Sequence, residues 1–388
     1  MNAQNEPRPV LWDEIKQWTT DDDAVAVVFE ESLASTGGPD WPVKPPTFAK
    51  EKDENGGDKV GRYQIDTLPN GSSVCLMDSV QSQNNRREPI FLQPPYRELV
   101  SDVRMIYPDG SEKNLLELPH RAADVSIRFS EGREQITKAF RAYESGDAWP
   151  MATLAPTSLV FGAWDSRETS VKIPRIVGGQ VLAFDAHPIG APFQYFPARQ
   201  FSKLLYGEDA SAPKKLSGEG LAEALGQGLG GVIVHGGIKL KLEVNLRALR
   251  AIGARSNHLP DEERTVRLRT YILLLSLIAA TAPASYWLRQ GCNLKKTAAS
   301  AKLVRTNRDD EAIRLPSAEE IAKFARDHLA ELIDLEQPQQ WRFDSDKARA
   351  AVAIVKARRG RPSKAAGTTA QAADADDDAE PDLGIGES

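Results

Sequence analysis

Two extended runs, GRYQIDTL and SSVCLMD, stand on either side of Pro-Asn-Gly. Asn-Gly between alternating arms is a tight-turn sequence, because its backbone twist matches that of paired strands. That turn commits the chain to antiparallel pairing. An antiparallel ladder then needs further strands and a cover for its apolar face. The further strands are legible. AVAVVFEESL reads as a buried strand, VRMIYPDGSEKNLLEL carries a second hairpin signal at Pro-Asp-Gly, and GVIVHGGIKLKLEVNL is extended. Residues 153–187, TLAPTSLVFGAWDSRETSVKIPRIVGGQVLAFDAH, also read as strands with interruptions.

The cover comes from helical periodicity. LWDEIKQW and REQITKAFRAYESG read as helices, and three more follow in the C-terminal third: DEERTVRLRTYILLLSLIAATA, SAEEIAKFARDHLAELIDL and SDKARAAVAIVKARRG. The expected fold class is therefore α+β, with a mostly antiparallel sheet in the first two thirds and helices appended after it. Residues 1–356 form one large domain on this reading. It contains a loop at about 35–58 that is rich in Gly, Pro and charge, and residues 357–388 form a disordered basic-then-acidic tail.

Composition excludes more than it assigns. The 388 residues are 41% hydrophobic and 27% charged, ordinary values for a globular chain. The net charge of −6 averages an acidic end, ADADDDAEPDLGIGES, with a more basic body. Cys75 and Cys292 give neither a disulfide framework nor zinc spacing, and read as buried apolar filler. The N-terminus lacks a signal-peptide pattern, and YILLLSLIAATA is shorter than the roughly 20 residues a membrane span needs, so the expected location is cytoplasmic, with no membrane partner.

Catalytic patterns are absent. The five histidines, His120, His187, His235, His258 and His328, show no metal-ligand spacing, and there is no nucleophile elbow or Walker loop. His120, beside Arg121 and Asp124, is the one candidate general base, and a helix-start or packing histidine is the simpler reading. GQGLGG matches G-x-G-x-x-G at Gly226, Gly228 and Gly231, but the helix-like GEGLAEAL precedes it and a strand follows. A dinucleotide loop needs the opposite order. No cofactor, no metal site and no enzymatic activity are expected.

Positive charge is distributed more suggestively. Lys239 and Lys241 alternate along one strand and so share a face. Arg167, Lys172 and Arg175 flank another extended region, and NLKKTAASAKLVRTNR carries Lys295, Lys296, Lys302, Arg305 and Arg308 with no acid among them. Ahead of them all in the chain lies LMDSVQSQNNRREP, where Ser79, Gln81, Ser82, Gln83, Asn84 and Asn85 precede Arg86 and Arg87. As a helix, this stretch places Gln81 with Asn85, and Ser79 and Ser82 with Arg86. Such side chains suit phosphate and sugar oxygens, and they suit equally a surface helix capped by Asp78 or Ser79. In the tail, RRGRPSK resembles an AT-hook core, with a basic linker as the plainer reading.

The residues also carry a family likeness. LMDSVQSQNNRRE resembles the D-S-V-Q-S-Q-A-N-R signature of a CRISPR-associated RAMP-superfamily protein, the guide-RNA-binding backbone subunit of type I-U (I-G) Cascade. Asn84 and Arg87 depart from that signature. LPHRAADVSIR, APTSLVFGAWDSRETSVKIPRIVGG and GGVIVHGGIKLKLEVNLRALR look like its other blocks in the same order, over about residues 20 to 340. The resemblance implies a modified RRM-like (ferredoxin-like) palm with inserted finger and thumb elements, and copies of the chain stacked along a CRISPR RNA. It implies as partners target DNA in the assembled complex, a large subunit, a guide-processing subunit and a recruited helicase-nuclease. The implied RNA contacts are the polar and basic positions above from Ser79 to Arg86, with His120, Arg121, Arg167, Lys172, Arg175, His235, Lys239, Lys241, Lys295 and Lys296. The alternatives are a RAMP-type endonuclease that processes CRISPR RNA and an architectural DNA-binding protein acting through RGRP.

Overall fold

Every second residue of Val177–Phe184 and of Ile238–Asn245 is buried, so each strand turns one apolar face inward. These strands belong to a nine-stranded sheet in a computed structural model that describes residues 7–48, 63–196, 199, 201–206, 221 and 224–359. Along the chain the strands used below are β1 (Arg8–Pro9), β2 (Ala24–Ser35), β3 (Ile65–Thr67), β4 (Ser73–Asp78), β5 (Val177–Phe184), β6 (Ala186–Tyr195), β7 (Ala224–Val234), β8 (Ile238–Asn245), β9 (Trp287–Arg289), β10 (Cys292–Arg305) and β11 (Glu311–Arg314). The helices are α1 (Trp12–Gln17), α2 (Val80–Arg87), α3 (Arg133–Glu144), α4 (Trp149–Leu154), α5 (Thr157–Phe161), α6 (Glu262–Thr281), α7 (Ala318–Asp327) and α8 (Ser345–Arg359).

The sheet runs β1-β11-β10-β2-β8-β5-β4-β3, with β9 pairing β10, and the fold is α+β. Its centre has a recognisable logic. β2, β5, β8 and β10 come first, second, third and fourth in the chain and lie fourth-first-third-second across the sheet, all antiparallel. Helices precede β5, and α6 joins β8 to β10. This is the β-α-β-β-α-β arrangement of ferredoxin-like folds. α5 and α6 both lie against β5, and the principal core forms between the sheet and these helices.

The Asn-Gly hairpin is present as β3 and β4, and the Pro-Asp-Gly hairpin as 103–106 with 112–114. Residues 153–161 differ from expectation: they are helical, in α4 and α5, rather than strands. Both helices are buried on all sides, so the run is apolar without a helical stripe, and a short continuous apolar run does not betray its period. The sheet is also not confined to the first two thirds. β10 pairs with β2 over most of its length, although its small and charged residues read as a basic run.

GQGLGG lies within β7, paired to β6, so it is not a phosphate loop. Gly231 has φ +116°, and a Cβ there would come within 2.8 Å of the Val43 carbonyl, so close backbone approach explains that glycine. Most of GEGLAEAL, the loop from 49 onward and the RGRP core beyond Arg359 lie outside the described residues. The chain divides into two compact units, 1–344 and 345–388, with α8 in the second. Cys75 and Cys292 are free and buried in one small apolar cluster. Among the described residues no helix is long and apolar enough to cross a membrane.

Candidate nucleic-acid interface

The polar stretch is a helix for reasons visible in its own residues. Ser79 is the N-cap, its Oγ accepting the Ser82 N–H at 3.3 Å, and no β-branched residue follows Val80. β4 delivers Asp78 to the helix start. Its carboxylate is 1% exposed and accepts from four side chains. Oδ1 takes Ser82 Oγ at 3.0 Å and Arg289 Nη2 at 2.8 Å, while Oδ2 takes Gln83 Nε2 at 2.7 Å and Arg86 Nε at 3.0 Å. Arg86 also donates to the Leu288 carbonyl, so the carboxylate ties α2 to β9.

Half of the helix serves the interior. Asn84 is fully buried and donates to the Val177 carbonyl of β5 at 3.3 Å, and Gln83 is buried against Asp78. Arg87 is buried and donates to the Ala279 carbonyl at 3.0 Å. Ala279 lies in the last turn of α6, where unpaired carbonyls and the helix dipole both favour a cation. Burial lowers the Arg87 pKa, and the Glu31 carboxylate opposes that effect.

The other half meets a second buried pair. Arg121 and Glu88 are each 3% exposed, with Nε to Oε2 at 2.7 Å. The guanidinium also donates to Asn85 Oδ1 at 3.3 Å and to the Gly162 carbonyl at 3.4 Å, and sits 5.2 Å over the Phe161 ring. Its backbone is left-handed, φ +52°, a strained setting for a residue with a Cβ. Burial pushes the Glu88 carboxyl up to about 7, opposed by Arg121, and burial lowers Arg121 in turn, opposed by Glu88.

Above this base lies an exposed rim. Gln81 donates to Asn85 Oδ1 at 3.1 Å and accepts from Arg175 Nη2 at 3.3 Å, with the Pro119 carbonyl alongside. Asn85, Arg86, His120 and Arg175 are exposed, and Gln81, Ser79 and Ser82 are half-buried. A short hairpin, 163–164 with 172–173, continues from Gly162. On it Lys172 sits 5.9 Å over the exposed Trp164 ring, and exposed Arg167 follows the Asp165 turn. Three stretches far apart in sequence thus converge: α2, the turn at His120–Arg121, and residues 157–175.

The remaining expected contacts lie elsewhere. Lys239 and Lys241 reach Glu30 at 2.8 and 3.6 Å across the sheet's solvent face, and Lys296 reaches Glu31 at 3.3 Å. Lys295 is exposed on β10, its backbone paired to Ala34. His235 is exposed and stacks loosely on His187, ring centroids 5.5 Å apart. Sequence reasoning did not single out Glu88, Arg289 or Trp164. Glu88 had a signal, a lone acid directly after two arginines; Arg289, from a distant strand, had none.

Residues 27–188 match the model of the family described as CRISPR-associated protein GSU0053. No curated protein matches the chain. The matched stretch, less than half of the chain, is what resembles this CRISPR-associated family, and it contains Asp78, all of α2, the Arg121–Glu88 pair and the rim through Arg175.

Proposed function

We propose that this chain binds CRISPR guide RNA largely without regard to sequence. On this reading it assembles with further copies along that RNA, as the backbone of a type I Cascade complex that recognises target DNA. The observation that carries it is the rim of Gln81, Asn85, Arg86, His120 and Arg175, supported on two buried charge networks. Neutral amides and guanidiniums are donors suited to phosphate and sugar oxygens, which carry no sequence information. Their support is rigid, because Asp78 and Glu88 hold the arginines beneath them in place. Trp164 adds one face on which any base can stack.

The role is binding and scaffolding rather than cutting. The large subunit, the guide-processing subunit and the helicase-nuclease are partners of the assembled particle. Co-expression with a CRISPR array, followed by mass measurement of the particle and sequencing of its RNA, tests the reading. Spacer RNAs of unrelated sequence and a mass of several copies are expected. Arg175→Ala should weaken RNA binding about tenfold or less, equally for unrelated spacers, and reduce its salt dependence. A loss confined to one RNA sequence would overturn the proposal. So would cleavage of repeat RNA that His120→Ala abolishes, which would establish a processing nuclease.

A further inference from the structure

The N-terminal half of α6 carries a second cationic cluster. Arg264 and Arg267, one turn apart, both lie over the indole of Trp149, their guanidinium carbons 4.1 and 5.5 Å from the ring centroid. Arg264 Nη1 donates to the Arg255 carbonyl at 2.8 Å, which brings the neighbouring hairpin, 255–256 with 259–260, into the group. Asp147 Oδ1 fixes this junction by accepting the N–H of both Trp149 and Arg255 at 3.2 Å.

No carboxylate answers these charges. Among the described residues, Arg255, Arg264 and Arg267 have no ion-pair partner within 4.0 Å, whereas arginines such as Arg8, Arg121 and Arg305 all have one. Arg267 Nε is buried and has no hydrogen-bond partner. Like charges gathered on one ring repel each other, and an anion held between them removes that cost.

We infer that this cluster is a docking surface for an acidic segment of a partner protein, one that carries carboxylates beside an aliphatic side chain. Two observations choose this over a nucleic-acid backbone. Trp149 is 6% exposed and covered by the guanidiniums, so it offers no face for a base. Leu259, on the same hairpin as Arg255, is 69% exposed, an apolar contact for which a phosphodiester has no counterpart. The surface is distinct from the α2 rim. Arg267 and Ala279, where Arg87 docks, are separated by roughly 18 Å along α6.

The test uses the full chain and a labelled acidic peptide with leucines between aspartates, followed by fluorescence anisotropy at low salt. A labelled single-stranded RNA is titrated in parallel. Binding of the peptide is expected for the wild type, weakened about tenfold or more by Arg264→Glu with Arg267→Glu, with RNA affinity unchanged. Leu259→Ser, at a solvent-facing position that leaves packing intact, should weaken the peptide about threefold. Failure of the wild type to bind the peptide, or retention of binding in both variants, would overturn the assignment. Parallel loss of RNA in the arginine variant would overturn it too, in favour of a nucleic-acid contact.

Discussion

Arg121→Ala removes a guanidinium that is 3% exposed and leaves Glu88, equally buried, with no counter-charge. Truncating one member of a buried pair costs about 3–5 kcal/mol, because the stranded charge stays desolvated. Glu88 can escape by taking up a proton, since burial already pushes its carboxyl up to about 7. A carboxyl whose folded pKa exceeds its unfolded value contributes most below the unfolded value, and that contribution is lost as pH rises through the folded pKa. In the variant the folded pKa rises further, so the deficit relative to wild type grows above pH 7. Near pH 6 only the bonds to Asn85 and Gly162 and the ring contact are lost, about 2 kcal/mol. Near pH 8.5 the deficit should approach ~4 kcal/mol. Arg121→Gly adds a control: at φ +52° glycine is unstrained, so it should be roughly 1 kcal/mol more stable than the alanine variant. Urea unfolding followed by tryptophan fluorescence at the two pH values measures all of this. A deficit below about 1 kcal/mol at both pH values, or one that shrinks as pH rises, would refute the reasoning.

Two further outcomes follow from the same geometry. Ser79→Ala removes the cap of α2 and should cost about 1 kcal/mol, while Ser79→Asp restores the cap and the stability but repels RNA if the helix start faces the guide; thermal unfolding and RNA anisotropy separate the two roles. Burial holds the thiols of Cys75 and Cys292 at about 12 and about 11, so the native protein at pH 8 should resist a thiol reagent that reacts fully after unfolding in urea.

Legibility in the sequence followed the reach of the forces involved. α2 could be read because its cap and its periodicity are local: Ser79 lies three residues from the N–H it satisfies. The burial of Gln83, Asn84 and Arg87 could not, because each depends on a partner from another element, Asp78, the Val177 carbonyl and the Ala279 carbonyl. A polar side chain reads as exposed until its partner is known. The hairpins were legible from their turns. α4 and α5 were not, since complete burial erases the amphipathic stripe, and β10 was hidden by alanines and lysines with little alternation. For the rim, Gln81, Asn85 and Arg175 stood out by residue type, and their meeting at one place needed the fold.

The position of β2 at the centre of the sheet governs how the molecule can be made. Its cross-strand ion pairs, Glu30 with Lys239 and Glu31 with Lys296, join residues 209 and 265 apart in the chain. A ribosome adding roughly 5–20 residues per second takes on the order of 10–50 s to supply both neighbours. For most of that interval the twelve-residue strand, apolar over Ala24–Phe29, waits without either partner. A chain cut short before β10 therefore cannot complete its central ladder, and a nascent-chain binder that shields Ala24–Ser35 should raise the yield of full-length protein.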